Sequence, residues 1–443
     1  MIETISSRLA DFACSAAVNP LPIDVADRAR LCVGDHLHAA LYGTHSETAL
    51  VLKRYRGATN EEALALQLGT LSTVYEIDDV HRDTSMHPGS VVVAAALAAA
   101  SGVSASDGRL LAAVAVGYEV AIRLSIAAGE RHYHYHQSTA TCGTVASAVA
   151  ASIAYGLDAA QTASAIGLAA TMAGGLWEDI NNTAIMVKHL HSGFAAERGV
   201  RAAKLAALGV KGASKAIEGP KGFLAALARQ DAAYPHEKLF DDAAMQTTLT
   251  DGLGERWAIL RNIYKRYPFC LGCFEPLEGM QHVLATSGRS TSDIASVRVE
   301  IYPPTAHLVG IRDPADQLQA KFSVVFAIAL LLAGRDPENV LLPIEWLRDP
   351  EVVGWYPRIE CISNPSLRPR MAHVHVSWSD GATALSNEPL RSLEGDEVME
   401  RLSVLCRDHL GADAGRLEAR LAALGERADS ADLIEMIRGA VHV

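Results

Sequence analysis

Residues 143–157, GTVASAVAASIAYGL, and the run AAQTASAIGLAATMAGG that follows Asp158 are the stretch on which the fold turns. Small and apolar residues recur there at helical spacing, and Asp158 stands where a second helix would need its cap. The same texture fills DVADRARLCVGDHLHAALYG (24–43) and RLLAAVAVGYEVAIRLSIAAG (109–129), and it persists to about residue 240. So much Ala and Gly lets helix axes approach closely. Several helices are therefore expected to pass through the centre with neighbours on all sides.

After Leu253 the texture changes, with more Pro, Trp, Tyr and β-branched residues. SVRVEIYP places Val297, Val299 and Ile301 on one face. RMAHVHVSWSDG places Ala372, Val374, Val376 and Trp378 on one face before an Asp380-Gly381 turn. Both read as antiparallel strands, and AKFSVVFAIALLLAG (320–334) between them reads as a buried helix. The expected architecture is a large all-α helical domain at 1–250 and a smaller α+β domain at 251–394. Amphipathic helices at about 395–443 are candidates to pack back on the helical domain.

Hydrophobic residues make up 49% of the 443-residue chain and charged residues 20%, as in globular proteins. A net charge of −12 with no Lys/Arg block argues against nucleic acid as a partner. The longest unbroken apolar run, VVVAAALAAA (91–100), is shorter than the roughly 18 residues a bilayer span needs, so no membrane span is expected. The opening MIETISSRLADFACSAA lacks the basic start and apolar middle of a secretion signal, which points to the cytoplasm. Seven scattered cysteines, Cys406 the last of them, suit reduced thiols there.

Four polar islands interrupt the apolar helices. The first, YEIDDVHRDTSMHPGS (75–90), gathers Glu76, Asp78, Asp79, His81, Asp83 and His87 just before an apolar helix. It puts His87 at a helix N-terminus, where backbone N–H groups favour anions. A solvated acidic loop is the plainer reading of such a composition. The second, GERHYHYHQSTATCGTVAS (129–147), would align His132, His134 and His136 on one face if extended, a conceivable metal site whose spacing matches no specific motif. Small residues from Thr139 to Ser147 then open another helix. The third, WEDINNTAIMVKHLHSGFAAERG (177–199), sets Lys188 among apolar and small residues, either reaching for the surface or desolvated and aimed at an anion. The fourth, YKRYPFCLGCFEPLEG (264–279), holds Lys265, Arg266 and a lone Cys270/Cys273 pair that reads as packing.

The chain has no phosphate-cradling glycine loop, dinucleotide fingerprint, nucleophile elbow or cluster-binding cysteine pattern. An enzyme built from it is expected to use histidines, carboxylates and a lysine, with no cofactor and no metal.

Taken together the islands resemble the MmgE/PrpD family, which includes 2-methylcitrate dehydratase, cis-aconitate decarboxylase and iminodisuccinate epimerase. IDDVHRDTSMHPGS resembles its acidic loop ending in His-Pro, and GYEVAIRL its following helix. STATCGTVASAVAASIAYGLDAAQ resembles its Thr-x-Thr-x-Gly helix start, and MVKHLHSGFAAERG its Lys-x-Leu-His-x-Gly segment. YKRYPFC resembles its Lys-x-Tyr-Pro stretch and AKFSVVFAIALLLAG its Phe-Ser helix. The resemblance implies an all-α domain with a smaller α+β lid domain, a homodimer, and a small polycarboxylate substrate. It carries over His87, Lys188, His136 and Asp79 as catalytic residues, with Asp79 as an orienting carboxylate. Glu76, Gln137, Thr139, Lys265 and Glu275 become substrate-binding candidates. His136 stands one residue further from Gly143 than the family's histidine, which makes Gln137 the alternative at that position. Glu76 replaces an aspartate, Val80 a threonine, CFEP (273–276) a Thr-His-Pro, and Phe326 falls about where cis-aconitate decarboxylases carry a tyrosine.

Abstracting a proton next to a carboxylate builds charge that an ammonium group and helix N-termini stabilise, while a near-neutral histidine serves as base. The expectation is a cofactor-independent lyase, most directly a hydratase or dehydratase of a di- or tricarboxylate. Epimerisation and decarboxylation of a similar acid are rival chemistries. A non-catalytic binding protein of this fold and a metal hydrolase using Asp78, Asp79, His81 and His136 are the other classes.

Overall fold

The computed structural model describes residues 3–55, 60–178, 185–227, 247–410, 414–427 and 429–441. The chain divides into two compact units. Unit 1 comprises Met1–Val74, Asp78–Tyr264 and Glu394–Val443, and unit 2 comprises Tyr75–Ile77 and Lys265–Leu393. Unit 1 thus runs past the boundary expected at 250 and takes in the terminal helices.

Unit 1 is helical. Its helices include α1 (Ile5–Val18), α2 (Ile23–Gly43), α3 (Glu47–Arg54), α4 (Glu61–Leu71), α5 (Pro88–Ala100), α6 (Asp107–Tyr135), α7 (Ser138–Tyr155), α8 (Ala159–Met172) and α9 (Ile185–Ala207). Asp158 caps α8 as expected: its carboxylate accepts from the Gln161 amide at 2.8 Å, and Gln161 Oε1 accepts from the Asp158 amide at 3.1 Å. Every residue of α5 is buried, and all of α7 but Tyr155. α7 packs against α5, α6, α8 and α9, and α9 also crosses α4. Small residues make the crossings possible. A Cβ on Gly199 of α9 would lie 2.3 Å from Ser147 Cβ on α7, so only glycine lets the two backbones approach this closely.

Among the described residues α6 is the one helix long and apolar enough to cross a membrane. The criterion of an unbroken apolar run missed it because Glu119 and Arg123 interrupt the run. It is a core helix: both ions are enclosed, paired at 2.6 Å, and bonded onward to the Ala258 amide and the Asp251 carbonyl. The terminal helices are tied to its start, where the Asp107 carboxylate accepts from Arg420 Nη1 and Nη2 at 2.9 and 2.6 Å. A two-residue ribbon pairs β1 (Val80–His81) with β2 (Asn262–Ile263), antiparallel.

Unit 2 is α+β. Helix α10 (Phe274–Ser287) and the buried α11 (Val324–Leu332) accompany a four-stranded sheet ordered β4-β3-β5-β6. The strands are β3 (Ile294–Ile301), β4 (Ile359–Ser363), β5 (Ala372–Trp378) and β6 (Thr383–Ser386). β3 and β5 are antiparallel, as their patterns suggested, and Asp380-Gly381 turns β5 into β6. β4 pairs parallel to β3, so the sheet is mixed. The apolar run at 320–334 yields a helix only from Val324, because the Ser323 hydroxyl caps the Phe326 amide at 3.0 Å.

Candidate active site

In unit 1 residues 78–87 of the first polar island form a loop that includes β1 and ends on α5. His87 is the N-cap, Pro88 occupies the first helical turn, and Ser90 Oγ donates back to the His87 carbonyl at 2.8 Å. The solvated-loop reading fails: Asp78, Asp79 and His81 are each about 98–99% buried.

Two groups hold the His87 ring. Its Nδ1 lies 3.0 Å from the Asp79 carbonyl oxygen and 3.0 Å from Asp78 Oδ2. A carbonyl only accepts, so Nδ1 carries the proton and the neutral ring keeps its lone pair on Nε2. The carboxylate facing the ring therefore belongs to Asp78. This corrects the expected role of Asp79, whose own carboxylate points elsewhere. Asp79 Oδ1 accepts from the Gly89 amide at 2.9 Å, and Oδ2 accepts from Asn262 Nδ2 at 2.6 Å and from the Tyr118 hydroxyl. A Cβ on Gly89 would fall 2.7 Å from both Asp79 Oδ1 and the Tyr118 oxygen. Only glycine lets the start of α5 dock on that carboxylate.

The start of α7 meets the start of α5. The His87 amide donates to Thr139 Oγ1 at 3.1 Å, in the first turn of α7. Gln137 is the N-cap of α7, and its Oε1 lies 2.9 Å from His191 Nδ1 on α9. Next to His191, Ser192 Oγ lies 3.2 Å from Ser90 Oγ, which closes the circuit back to α5. Lys188 lies one turn earlier on α9 and is only 5% exposed, so it is not a lysine reaching for the surface. The N-termini of α5 and α7 thus meet in one polar core, an arrangement suited to an anion, and Lys188 lies near enough for its charge to act on His191.

His136 stands apart from this circuit. It follows α6 as its C-cap, and its ring stacks on His132 with centroids 5.4 Å apart. Of the two alternatives for that position, Gln137 is the one bonded to the cluster. The strand-like alignment of His132, His134 and His136 is absent, because after a kink at Gly129 (φ 76°) the chain is helical again through Tyr135. His132 faces inward, with Nε2 2.9 Å from Thr141 Oγ1, while His134 is exposed. Neither these histidines nor Asp78, Asp79 and His81 form a metal-ligand group among the described residues.

Unit 2 holds the remaining candidates. Lys265 Nζ and Glu76 Oε2 pair at 3.1 Å, both buried, and the Lys321 ammonium lies 4.1 Å from the Tyr75 ring centre. Two buried lysines of unit 2 thus engage the segment Tyr75–Ile77. Glu275 is buried in the first turn of α10, and Phe326 is buried with its ring 6.4 Å from Phe269. Cys14, Cys32, Cys142, Cys270, Cys273 and Cys361 form no disulfide among the described residues, and the Cys406 side chain lies outside them.

Sequence reasoning passed over His36, Tyr118, Asn262 and His191. His191 had a signal, since it lies three positions after Lys188 and so shares its helix face. His36, Tyr118 and Asn262 had none, being brought in from α2, α6 and β2.

Burial tunes these groups. Desolvation raises the Asp79 carboxyl to about 6, with the Asp78 charge adding to the effect and the Tyr118, Asn262 and Gly89 bonds opposing it. Desolvation lowers His36 to about 4 against the pull of Asp78. It lowers His191 to about 4, assisted by the charges of Arg198 and Lys188. His132 falls to about 3 and His136 is also lowered, burial being the main cause in both. These imidazoles are neutral when folded and titrate near 6.5 when unfolded, so they stabilise the fold above pH 6.5 and lose that contribution as pH falls toward 4. The expected loss is about 2 kcal/mol per fully buried histidine between pH 6.5 and 5. Asp79 works in the opposite sense below about pH 6 and offsets part of one such loss. Urea midpoints should fall from pH 7.5 to pH 5, and His132→Gln should flatten that dependence.

Comparison with known proteins adds a family. The MmgE/PrpD N-terminal domain matches residues 7–235, and the MmgE/PrpD C-terminal domain matches residues 267–421. A cis-aconitate decarboxylase-like protein, oryM, of Aspergillus oryzae is 28% identical over 307 residues, covering 62% of this chain and 61% of that protein. The chain thus spans less than two thirds of that relative's length. A cis-aconitate decarboxylase of Aspergillus terreus is 25% identical over 361 residues, covering 74% of this chain and 71% of the relative.

Proposed function

The chain belongs to the MmgE/PrpD family, and on that premise we propose that it is a cofactor-independent lyase of a small di- or tricarboxylate, acting as a hydratase or dehydratase. The observation that carries the proposal is the fixed tautomer of His87. With Nδ1 donating to the Asp79 carbonyl and the Asp78 carboxylate 3.0 Å from it, Nε2 is the basic atom, at the N-terminus of α5 and beside that of α7.

In this reading the substrate carboxylates are held by Lys188 and by the amides opening α5 and α7. His87 Nε2 removes the proton from the carbon next to a carboxylate. The electron pair forms the carbon–carbon double bond as hydroxide leaves the adjacent carbon and takes a proton from an acidic group, so the products are an unsaturated acid and water. General acid–base assistance of this kind contributes about 10²- to 10⁴-fold, and positioning with charge stabilisation supplies the rest. Gln137 and Thr139 contribute hydrogen bonds, and Asp79 acts through position, docking Gly89 and presenting its carbonyl to His87.

Decarboxylation is the second reading, favoured by the names of the Aspergillus relatives. Against it stands Phe326, which is enclosed beside Phe269 and offers no hydroxyl where the resemblance places a tyrosine. Incubating the protein with a panel of unsaturated and hydroxylated polycarboxylates in heavy water, followed by NMR, tests both. Interconversion of a vinylic and a hydroxylated acid supports the proposal. Release of carbon dioxide selects decarboxylation, deuterium entry with no change of skeleton selects epimerisation, and no conversion of any acid overturns the enzymatic reading.

A further inference from the structure

The alternation of β5 leaves two histidines that the proposed chemistry does not use. Val374 and Val376 face the core of unit 2, while His373 and His375 face outward, two residues apart on one side of the sheet. Glu300 lies directly opposite His373 in the antiparallel register, and Arg298 lies opposite His375.

We propose that this outer face is a binding site for a zinc-class divalent metal, with His373, His375 and Glu300 as its protein ligands. His375 Nε2 lies 3.3 Å from Glu300 Oε1, and His373 Nδ1 lies 3.8 Å from Glu300 Oε2. The donor atoms of all three residues fall within 4.8 Å of one another. In a tetrahedral site with bonds of about 2.0–2.1 Å, ligand atoms sit about 3.3 Å apart, so modest side-chain rotation suffices to close the set. Two imidazoles and one carboxylate form a nitrogen-and-oxygen set suited to zinc or cobalt rather than calcium or magnesium.

Three features go beyond proximity. His375 Nε2 is shielded from water and makes no hydrogen bond. Asn364 Nδ2 donates to Glu300 Oε2 at 2.7 Å and fixes the carboxylate as an outer-shell partner does. A cavity of about 750 Å³ reaches one of the three ligands, His375. One group competes: Arg298 Nη2 lies 3.0 Å from Glu300 Oε1, but its side chain is 50% exposed and is free to swing into solvent.

The test uses the full chain without an affinity tag, stripped with a chelator. It is titrated with zinc chloride by calorimetry and with cobalt chloride by absorption, beside the double variant His373→Ala/His375→Ala. The site predicts one zinc equivalent present in the wild type and absent from the double variant, with intense tetrahedral cobalt bands that disappear likewise. Asn364→Ala should weaken binding about 10- to 100-fold, and Arg298→Gln should tighten it. Equal zinc stoichiometry in wild type and double variant overturns the site, as does a wild type with no saturable binding. The replaced side chains are about one-third exposed, so the fold should survive. Should circular dichroism show otherwise, His373→Gln/His375→Gln provides the same comparison.

Discussion

Replacing His87 by glutamine is expected to lower kcat by about 10²- to 10⁴-fold, the range for losing a positioned general base. Glutamine keeps a polar side chain and the backbone N–H that Thr139 accepts, but its amide has no basic nitrogen to replace Nε2. The loss should fall on kcat more than on KM, because proton abstraction belongs to the transition state and not to binding. Incorporation of solvent deuterium into substrate should fall in parallel. Turnover unchanged in His87→Gln would move the base elsewhere, and turnover unchanged in Lys188→Met as well would leave a binding protein of this fold.

Replacing Lys188 by methionine is expected to cost at least about 10²-fold in kcat/KM, the scale of removing one charge that stabilises a developing oxyanion. Methionine fills similar space without the ammonium, so a purely structural role for Lys188 would leave activity near that of wild type. An independent readout comes from His191, whose imidazole is depressed to about 4 chiefly by burial and further by Arg198 and Lys188. Removing the lysine removes one positive neighbour, so the His191 titration should move upward. NMR of the ring protons in wild type and variant measures it. A variant with unchanged His191 titration and full activity would detach Lys188 from the cluster.

Much of the fold was legible because its signals are local. The spacing in 143–157 and the Asp158 cap specify helices from side chains a few positions apart, and β3 and β5 announce themselves by alternation. The parallel placement of β4 was not legible, since nothing within IECIS records which strand it pairs with or in which direction. α6 was legible as a helix over 109–129 but not as one apolar enough to cross a membrane. Its apolar run is broken by Glu119 and Arg123, which satisfy each other only once the helix has formed.

The candidate site divides along the same line. The polar islands by themselves marked His87, Thr139 and Lys188, because polar residues stand out between apolar helices in a chain of this composition, and the family resemblance added Asp79 and Gln137. Tertiary structure alone decided that Asp78 and not Asp79 turns its carboxylate to His87, that Gln137 and not His136 joins His191, and that Tyr118 and Asn262 hold Asp79. The physical reason is direction. A helix or turn is specified by neighbours in the chain, whereas a buried carboxylate turns toward whichever donors distant segments bring within hydrogen-bonding distance, so the adjacent Asp78 and Asp79 meet different partners.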